Sequence, residues 1–368
     1  MKTPFPSSTV KIGVIVGAGT GRRLANIFKE FLDGLVRFYL NQTVLFLEGD
    51  NLKDLPYQYH SYKTIVEAVE SDVSKYNTIS QEEVGRLLDT TQNWFREGVR
   101  TIFRTSINAE ALYLFRQEVG AIKEFGLETN SGGKILFVRD QAEGFYANKQ
   151  YRIIAGEEEI YFSGTFSKKH QKKIAEHAFA SAKAFMENRE FQTWAIYKHH
   201  LFGDVIHKWL KEVDPGIQAF QPDTGLTKLN SIISDEKKAN NGSSSHNILI
   251  ICSNEVGDII YETILGVVNI EAELELYTRN IYTAEPFSGE MLEYQTVHGS
   301  ADDIEGTEKI LPYATLRIAA DIAEKRFGIK DIKNELEYAI SEAKRKRLLE
   351  TTPILQHVYR HFQIKPVL

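Results

Sequence analysis

Short apolar runs that alternate with longer amphipathic stretches constrain the fold of this chain more than any other feature. The apolar runs predict strands at Val10–Val16, Thr43–Glu48, Lys134–Arg139, Phe191–Tyr197 and Asn247–Cys252. The stretches with helical periodicity predict helices at Gly21–Tyr39, Gln81–Phe95, Lys168–Asn188, Leu201–Val213, Val256–Val268, Pro312–Phe327 and Lys330–Leu349. Strands separated by helices favour a mostly parallel sheet covered by helices, so the predicted fold class is α/β.

Two further segments have a different character. The segment "IIAGEEEIYFSGTF" (153–166) predicts two short strands around a turn. The segment "SDEKKANNGSSSHN" (234–247) is polar and rich in glycine and serine, and it predicts a surface loop.

Composition and charge exclude several classes of protein. The 368 residues are 42% hydrophobic and 26% charged, which is typical of a globular protein with one large domain or two ordinary ones. The net charge of −6 argues against general nucleic-acid binding, which requires a basic surface. The first apolar run is too short and too rich in glycine for a membrane span or a signal peptide. The single cysteine, Cys252, lies in a predicted core strand and indicates a cytoplasmic location.

A glycine-rich turn follows the first predicted strand, in "VGAGTG" (16–21). The dinucleotide fingerprint G-x-G-x-x-G would place its third glycine one residue beyond Gly21. Glu48 or Asp50 supplies an acid at a suitable distance along the chain. Glycine-rich turns also follow first strands for steric reasons alone. The turn itself therefore leaves two interpretations open, a pyrophosphate cradle or a tight turn.

Two strand ends carry groups suited to acid–base chemistry on an anionic substrate. "ILFVRDQAEGFYANKQYR" (135–152) ends its strand at Arg139 and continues to Tyr146. "TWAIYKHHLFGDVIHKWLKEV" (193–213) ends its strand at Lys198. Arginine binds carboxylates, while lysine and tyrosine can serve as base and acid. Each residue taken alone is equally compatible with a structural role.

A pair of carboxylates suggests a divalent cation. In "SNEVGDIIYETILGVV" (253–268), Asp258 and Glu262 lie four residues apart on one face of a predicted helix. Carboxylate oxygens are the ligands that Mg²⁺ and Mn²⁺ prefer, although most such pairs are solvated surface. The histidines of "HHLFGDVIH" (199–207) do not form a compact zinc-ligand set.

Four motifs, in this order of strength, resemble those of the isocitrate/isopropylmalate dehydrogenase family. "YQTVHGSADDIEG…LPYATLRIAADI" is similar to the family's "P-V-H-G-S-A-P-D-I-A-G…N-P-x-A-x-x-x-S", and "VRDQAEGFYA" to its "V-R-E-N-T-E-G-x-Y-x-G". "NEVGDIIYE" is similar to "N-x-x-G-D-I-x-S-D", and "IYKHHLFGD" occupies the place of "x-H-K-x-N-x-x-x-x-x-D". The resemblance runs over nearly the whole chain, but no single motif matches perfectly.

The resemblance implies a two-domain α/β fold with mixed or parallel sheets, distinct from the Rossmann fold. Residues 1–103 plus 256–368 would form a large cofactor-binding domain, and residues 104–255 a small domain for substrate binding and dimerisation. The family forms homodimers with shared active sites. Its first-strand "G-D-G-x-G", which "VGAGTG" resembles, lies near the cofactor without cradling the pyrophosphate.

The resemblance also implies roles for individual residues. Arg139 would bind a substrate carboxylate, and Tyr146 would protonate the enolate carbon. Lys198, supplied by the partner subunit, would take the hydroxyl proton. Ser106 and Asn108 correspond to the first two residues of the family's substrate-binding motif "S-x-N-x-x-x-R".

Metal and cofactor sites follow from the same motifs. Asp258 and Glu262 would hold Mg²⁺ or Mn²⁺, together with Asp223 of "QPDTGLTKL" across the dimer. NAD would bind at the loop formed by His298, Gly299, Ser300, Ala301, Asp303 and Ile304, with Leu311 in place of the asparagine that usually meets adenine. An acid at position 303 can accept hydrogen bonds from ribose hydroxyls and would repel a 2′-phosphate, so NAD is favoured over NADP.

The departures from the family pattern concern substrate recognition. Leu112 stands where relatives carry the first arginine of the substrate motif, and the loop proline is Asp302. Arg104 or Arg116 are alternative partners for a substrate carboxylate. Isocitrate and 3-isopropylmalate are therefore disfavoured as substrates, since an unpaired buried carboxylate is costly.

Two functions remain open at this stage. The first is NAD-dependent and metal-dependent oxidation of a related 2-hydroxy acid, with decarboxylation, by a cytoplasmic homodimer. The second is a non-catalytic regulatory or binding subunit that kept the fold. The presence of both Tyr146 and Lys198 favours the enzyme, because a structural subunit needs neither.

Overall fold

The structure is a computed structural model. It describes residues 10–49, 57–70, 73–129, 132–145, 152–153, 160–161, 164–238, 246–268, 276–297 and 299–365. The chain divides into two compact units. Unit 1 comprises Met1–Leu112, Ala272–Thr278 and Glu290–Leu368, and unit 2 comprises Tyr113–Glu271 and Arg279–Gly289.

The described residues form helices and strands in alternation. The helices are α1 (Gly21–Leu40), α2 (Tyr62–Val69), α3 (Val73–Arg96), α4 (Ala109–Glu118), α5 (Lys168–Phe185), α6 (Asp204–Lys211), α7 (Pro222–Lys238), α8 (Asn254–Val268), α9 (Tyr313–Phe327), α10 (Ile332–Arg345) and α11 (Thr351–His361). The strands are β1 (Lys11–Ile15), β2 (Leu45–Glu48), β3 (Thr101–Arg104), β4 (Ala121–Glu128), β5 (Lys134–Asp140), β6 (Arg152–Ile153), β7 (Ile160–Tyr161), β8 (Gln192–Ile196), β9 (Gln218–Phe220), β10 (Ile248–Cys252), β11 (Tyr277–Tyr282) and β12 (Met291–Thr296).

Unit 1 is built on parallel strands in the order β2-β1-β3-β12. Its core joins α1 and the C-terminal helices α9, α10 and α11 to the sheet. Leu24, Phe28, Phe31 and Leu35 recur at helical spacing along α1 and are buried, as expected for an amphipathic helix. The ring of Phe28 stacks on that of Phe103 from β3, with centroids 4.2 Å apart.

Unit 2 is built on a mixed sheet in the order β11-β4-β5-β10-β8-β9. Strand β4 is antiparallel to β5 and β11, while β5, β10, β8 and β9 run parallel. Helices α5 and α6 cover one face through buried residues such as Ile174, Ala178 and Leu210. Because the four parallel strands end at one edge of the sheet, Arg139, Ser253 and Lys198 lie along that edge.

All the predicted strands and helices are present in the structure, and the predicted α/β class is confirmed. The pair β6–β7 is antiparallel and corresponds to the predicted strands within 153–166. The predicted loop at 234–247 was wrong at its start, because α7 continues to Lys238. Helix α8 belongs to unit 2, whereas the domain boundary predicted at residue 256 assigned it to the cofactor-binding domain.

No helix in the described parts of the chain has the length and apolar content needed to cross a bilayer.

Candidate active site

The guanidinium of Arg139 is held by the first two turns of α8. Arg139 is the penultimate residue of β5 and is 2% exposed. Its Nε and Nη2 atoms donate hydrogen bonds to Oδ1 of Asn254, at 3.0 and 2.6 Å, and Nη1 pairs with the carboxylate of Asp258. The arginine is therefore fixed in one orientation by charge-assisted hydrogen bonds.

The aliphatic stem of Arg139 also packs on α8. A Cβ atom added to Gly257 would lie 2.5 Å from Cδ of Arg139 and 2.7 Å from Cγ, so only glycine leaves this space open. Asn254, Gly257 and Asp258 of "NEVGD" thus each contact Arg139, and we call these three residues the arginine cradle. Asn254 and Gly257 were missed in the sequence analysis, although the helical spacing of the three residues places them on one face of α8.

A hydrogen-bonded network surrounds the buried carboxylate of Asp140, next to Arg139. Asp140 accepts hydrogen bonds from two backbone N–H groups of the following loop, from Nε2 of Gln171 at 2.7 Å and from the ring of His170 at 3.1 Å. Burial alone would lower the pKa of His170, but the charges of Asp140 and Glu143 outweigh it and raise the pKa above its usual value. His170 is therefore favoured in its protonated form.

Two other buried groups at this edge are unsuited to proton transfer near neutral pH. Burial raises the pKa of the Tyr197 hydroxyl well above its ordinary value, and that hydroxyl donates a hydrogen bond to Gln171 at 3.1 Å. Burial likewise raises the pKa of the Cys252 thiol. Cys252 is fully buried in β10, as predicted for a core thiol.

Lys198 and Asp223 lie on the same unit in exposed positions. Lys198 directly follows β8 and precedes one turn of π-helix at His199–Gly203. Asp223 lies in the first turn of α7. Tyr146 lies outside the described residues, so its predicted role stays a prediction.

The donor chemistry of α8 fits a hard divalent cation. The side chain of Asp258 is 45% exposed, and only its Oδ1 atom is engaged by Arg139. Carboxylate oxygen is the preferred ligand of Mg²⁺ and Mn²⁺. Within the described residues, no three His, Cys, Asp or Glu side chains converge as a metal site. The side chain of Glu262 lies outside them, so the predicted cation site stays a prediction.

The glycine-rich turn of unit 1 uses its backbone N–H groups internally. The N–H of Gly17 donates to Oγ1 of Thr105 at 2.8 Å, and that of Ala18 donates to the carbonyl of Tyr59 at 2.8 Å. The N–H of Thr20 donates to the carbonyl of Ser300 at 3.0 Å, and that of Gly21 to Ala18 at 3.2 Å. Because a pyrophosphate cradle needs these donors free, the turn is a packing element.

Steric contacts on the same turn lead to the same conclusion. A Cβ atom on Gly17 would overlap the backbone carbonyl of Ser106, and one on Gly19 would overlap the carboxylate of Asp302. Oδ2 of Asp302 accepts a hydrogen bond from Ser61, the residue that caps α2. The loop after β12 therefore fills the place that a phosphate would need.

Comparison with known proteins gives the family. The isocitrate/isopropylmalate dehydrogenase family profile matches residues 114–357, which include the arginine cradle and the loop after β12. This match covers more than half of the chain. The chain belongs to the isocitrate/isopropylmalate dehydrogenase family. No curated protein sequence matches it at a significant level.

Solved structures share the fold of this family member. An isocitrate dehydrogenase from Methylococcus capsulatus matches with a TM-score of 0.66 and 17% identity, covering 96% of this chain and all of the other. The TT0538 protein from Thermus thermophilus matches with a TM-score of 0.65 and 15% identity, covering 99% of this chain and 70% of the other. At these identities the similarity is one of fold.

The predicted substrate residues of unit 1 occupy contrasting positions in this dehydrogenase-family chain. Ser106 is half-buried, whereas Asn108 is fully buried. The Nδ2 atom of Asn108 donates to Ser80 at 2.7 Å, and its Oδ1 accepts from the hydroxyl of Tyr76 at 3.1 Å and from the N–H of Glu110 at 3.2 Å. Asn108 therefore stabilises the start of α4 in this structure.

The predicted cofactor residues lie together in unit 1, apart from His298, which falls outside the described residues. Gly299 and Asp303 are exposed, while Ser300, Ala301 and Ile304 are half-buried. Leu311 packs against the core of unit 1. The exposed carboxylate of Asp303 is free to meet the solvent side of a ligand, which fits the hydrogen-bond acceptor predicted for a ribose. The assignment of NAD to these residues stays a prediction.

Proposed function

We propose that this protein is a dehydrogenase that oxidises a 2-hydroxy acid related to isocitrate or 3-isopropylmalate, with decarboxylation, using NAD and Mg²⁺ or Mn²⁺. The observation that carries the proposal is the arginine cradle at the carboxyl edge of the parallel strands. A buried guanidinium beside a half-exposed carboxylate provides an anion site and a cation ligand within one helical turn.

Arg139 would anchor the carboxylate of the substrate. Its Nη1 atom is paired with Asp258, so a substrate carboxylate would replace Asp258 at that nitrogen. Asp258, with Glu262 and Asp223 of a partner subunit, would then hold the divalent cation. When bound, such a cation polarises the hydroxyl and carbonyl oxygens of a hydroxy acid.

Proton transfer is assigned to two residues near this edge. Lys198 would take the proton of the substrate hydroxyl, in an active site shared between the subunits of a homodimer. Its exposed position after β8 supports a role toward a ligand or a second copy of the chain. Tyr146 would return a proton to carbon after carbon dioxide leaves. NAD would lie at Gly299–Ile304, with Asp303 accepting hydrogen bonds from the ribose.

Leu112 narrows the class of substrate. It is a half-buried residue of α4 and stands where family members carry an arginine. An apolar wall favours an apolar substituent by about 0.8 kcal/mol per buried methylene. It disfavours an unpaired carboxylate by roughly 2 kcal/mol or more. We therefore expect a hydroxy acid with fewer free carboxylates than isocitrate, or with a bulky apolar substituent.

The test is a steady-state comparison of isocitrate, 3-isopropylmalate, malate and tartrate with NAD and Mn²⁺. Turnover of a hydroxy acid other than isocitrate is expected. Isocitrate turnover at about 10⁴ M⁻¹s⁻¹ or more would contradict the role given to Leu112. In parallel, calorimetric titration of Mn²⁺ should show lost binding in Asp258→Asn at unchanged stability. Equal Mn²⁺ affinity in both proteins would mean that Asp258 only pairs with Arg139.

A non-catalytic regulatory or binding subunit is the second candidate. The observation that favours it is that the protein itself occupies the groups expected to meet substrate, since Arg139 is bound by Asn254 and Asp258, and Asn108 by Ser80 and Tyr76. This candidate predicts neither turnover of any hydroxy acid nor binding of NAD.

A further inference from the structure

The first turn of α8 carries a carboxylate without a partner. Both carboxylate oxygens of Glu255 are shielded from solvent, and no described residue donates a hydrogen bond to either of them. The neighbouring carboxylates differ, because Asp140 accepts four hydrogen bonds and Asp258 is paired with Arg139. An ionised carboxylate is strongly unfavourable in such a position unless a donor reaches it. The position of Glu255 therefore calls for a donor from a ligand.

Glu255 reaches toward the loop that follows β5. A Cβ atom on Gly144 would lie 2.8 Å from Oε2 of Glu255, so the absence of a side chain at position 144 makes room for the carboxylate. The φ angle of Gly144 is +95°, a backbone conformation that favours glycine. The loop thus leaves space for a carboxylate that the protein does not otherwise use.

The preceding residue provides a second, independent observation. Asn254 is 1% exposed, and its Nδ2 atom has no acceptor among the described residues. Its Oδ1 atom accepts both hydrogen bonds from Arg139, which fixes the amide so that Nδ2 remains the outward donor. Asn254 and Glu255 both reach toward the segment between Arg139 and Gly144. An unfilled donor and an unfilled acceptor therefore neighbour the anchor for the substrate carboxylate.

We propose that Glu255 and Asn254 form a subsite for a hydroxyl substituent of the substrate, separate from the hydroxyl that is oxidised. This inference rests on the proposed function. A hydroxyl donates to a carboxylate and accepts from an amide at the same oxygen atom. An ammonium group cannot accept from Asn254, and a carboxylate would be repelled by Glu255. Glu255 is thus a specificity-determining residue.

Malate and tartrate test the subsite, because they differ by one hydroxyl. The affinity of each, in both enantiomers, is measured by calorimetry with Mn²⁺ for the wild-type protein, for Glu255→Gln and for Glu255→Leu. Wild type should bind one tartrate enantiomer at least about tenfold more tightly than malate, since sites built around a hydroxyl reject analogues that lack it. Both variants should lose this preference while their affinity for malate is unchanged.

Glu176→Gln is the matched control, because Glu176 is an exposed glutamate on α5 of the same unit. It should keep the wild-type preference. Equal binding of malate and tartrate by wild type, or a preference retained in Glu255→Leu, overturns the subsite and leaves the proposed function intact. Binding of neither acid to wild type contradicts the proposed function as well.

Thermal unfolding of the ligand-free protein separates a ligand role from a structural one. Glu255→Gln removes an unpartnered buried charge, so its melting temperature should rise above that of wild type. A lower melting temperature would mean that Glu255 supports the fold, and it would overturn the proposal. A kcat that falls equally on all substrates, with unchanged affinities, would place Glu255 in the chemical step and would also overturn it.

Discussion

Two strand-to-helix junctions of this chain look alike in sequence and differ in what they leave unpaired. The turn Gly17–Gly21 joins β1 to α1, and residues 253–255 join β10 to α8. In the first junction the protein's own groups take up the backbone donors, including those of Gly17, Ala18 and Thr20. In the second, buried polar atoms of Ser253, Asn254 and Glu255 have no partner among the described residues.

The difference teaches how to interpret a glycine-rich motif. Backbone and side-chain polar groups that are buried must be paired, so those left unpaired mark the place where a ligand is needed. The glycines differ in the same sense. Gly17 avoids a fixed backbone carbonyl, whereas Gly257 makes room for the movable side chain of Arg139. The first glycine serves folding, and the second serves the orientation of a functional group.

The largest expected effect is that of Gly17→Ala. The new Cβ would meet the backbone of Ser106, which cannot move aside without disturbing β1 and β3. We expect a loss of about 3 kcal/mol or more in the free energy of unfolding, measured with urea. Gly85→Ala is the matched control, because nothing lies within 4 Å of its Cβ, and it should stabilise helix α3 by about 0.5–1 kcal/mol. Similar stabilities for the two variants would refute the role given to this turn.

Asn254→Ala should have the next largest effect. It removes the acceptor for two donors of the buried guanidinium of Arg139, which should cost about 3 kcal/mol of stability. Affinity for a hydroxy acid should fall as well, because Arg139 loses its fixed orientation. Urea unfolding and calorimetry measure the two effects. A variant with wild-type values in both measurements would show that the cradle does not hold the arginine.

His170→Asn should reduce stability in a pH-dependent way. The pKa of His170 is raised in the folded state, so its contribution is fully present below pH 6.5 and is lost as the pH rises through the folded-state value. We expect a cost of about 2 kcal/mol at low pH, since a charged donor to buried Asp140 is removed. Urea unfolding from pH 5.5 to 8.5 checks this. A difference between the proteins that grows with pH would have the wrong sign.

Gly257→Ala makes the same change as Gly17→Ala in the other region. The helix gains about 1 kcal/mol from alanine, which offsets the cost of displacing a flexible side chain. Stability should therefore stay near the wild-type value. Affinity for a hydroxy acid should fall about tenfold, because the stem of Arg139 must move. A large loss of stability with unchanged affinity would make this glycine equivalent to Gly17.

Asp303→Lys should have the smallest effect. An exposed charge contributes about 0.2–1 kcal/mol, so the preference for NAD over NADP should narrow by at most about fivefold. Calorimetric titration of both dinucleotides measures the change. Tighter binding of NADP than NAD by the wild-type protein would contradict the reasoning about Asp303.

The sequence predicted the parallel core well and the remainder less well, for physical reasons. Buried strands such as Lys134–Asp140 and Ile248–Cys252 are continuous apolar runs. Strands β3, β4, β11 and β12 carry buried polar residues such as Arg104 and Glu124, whose partners are distant in the chain. Their alternation of polar and apolar residues conceals their burial.

The same limit applies to the candidate site. Arg139 and Asp258 could be named from motifs, but their mutual pairing could not, because it depends on the contact of β5 with α8. The closure of the glycine-rich turn depends on Ser300, which lies 280 residues beyond Thr20. Hydrogen bonds over such separations follow from the topology and leave no periodic signal in the sequence.

The most direct test of the account compares hydroxy-acid binding to wild type and Arg139→Lys by calorimetry with Mn²⁺. Lysine keeps the charge but cannot reproduce the forked contacts with Asn254 and a carboxylate. The account predicts that hydroxy-acid affinity falls by about 100-fold, while NAD affinity stays unchanged. Unaltered hydroxy-acid affinity in Arg139→Lys would contradict the assignment of the arginine cradle as the substrate anchor.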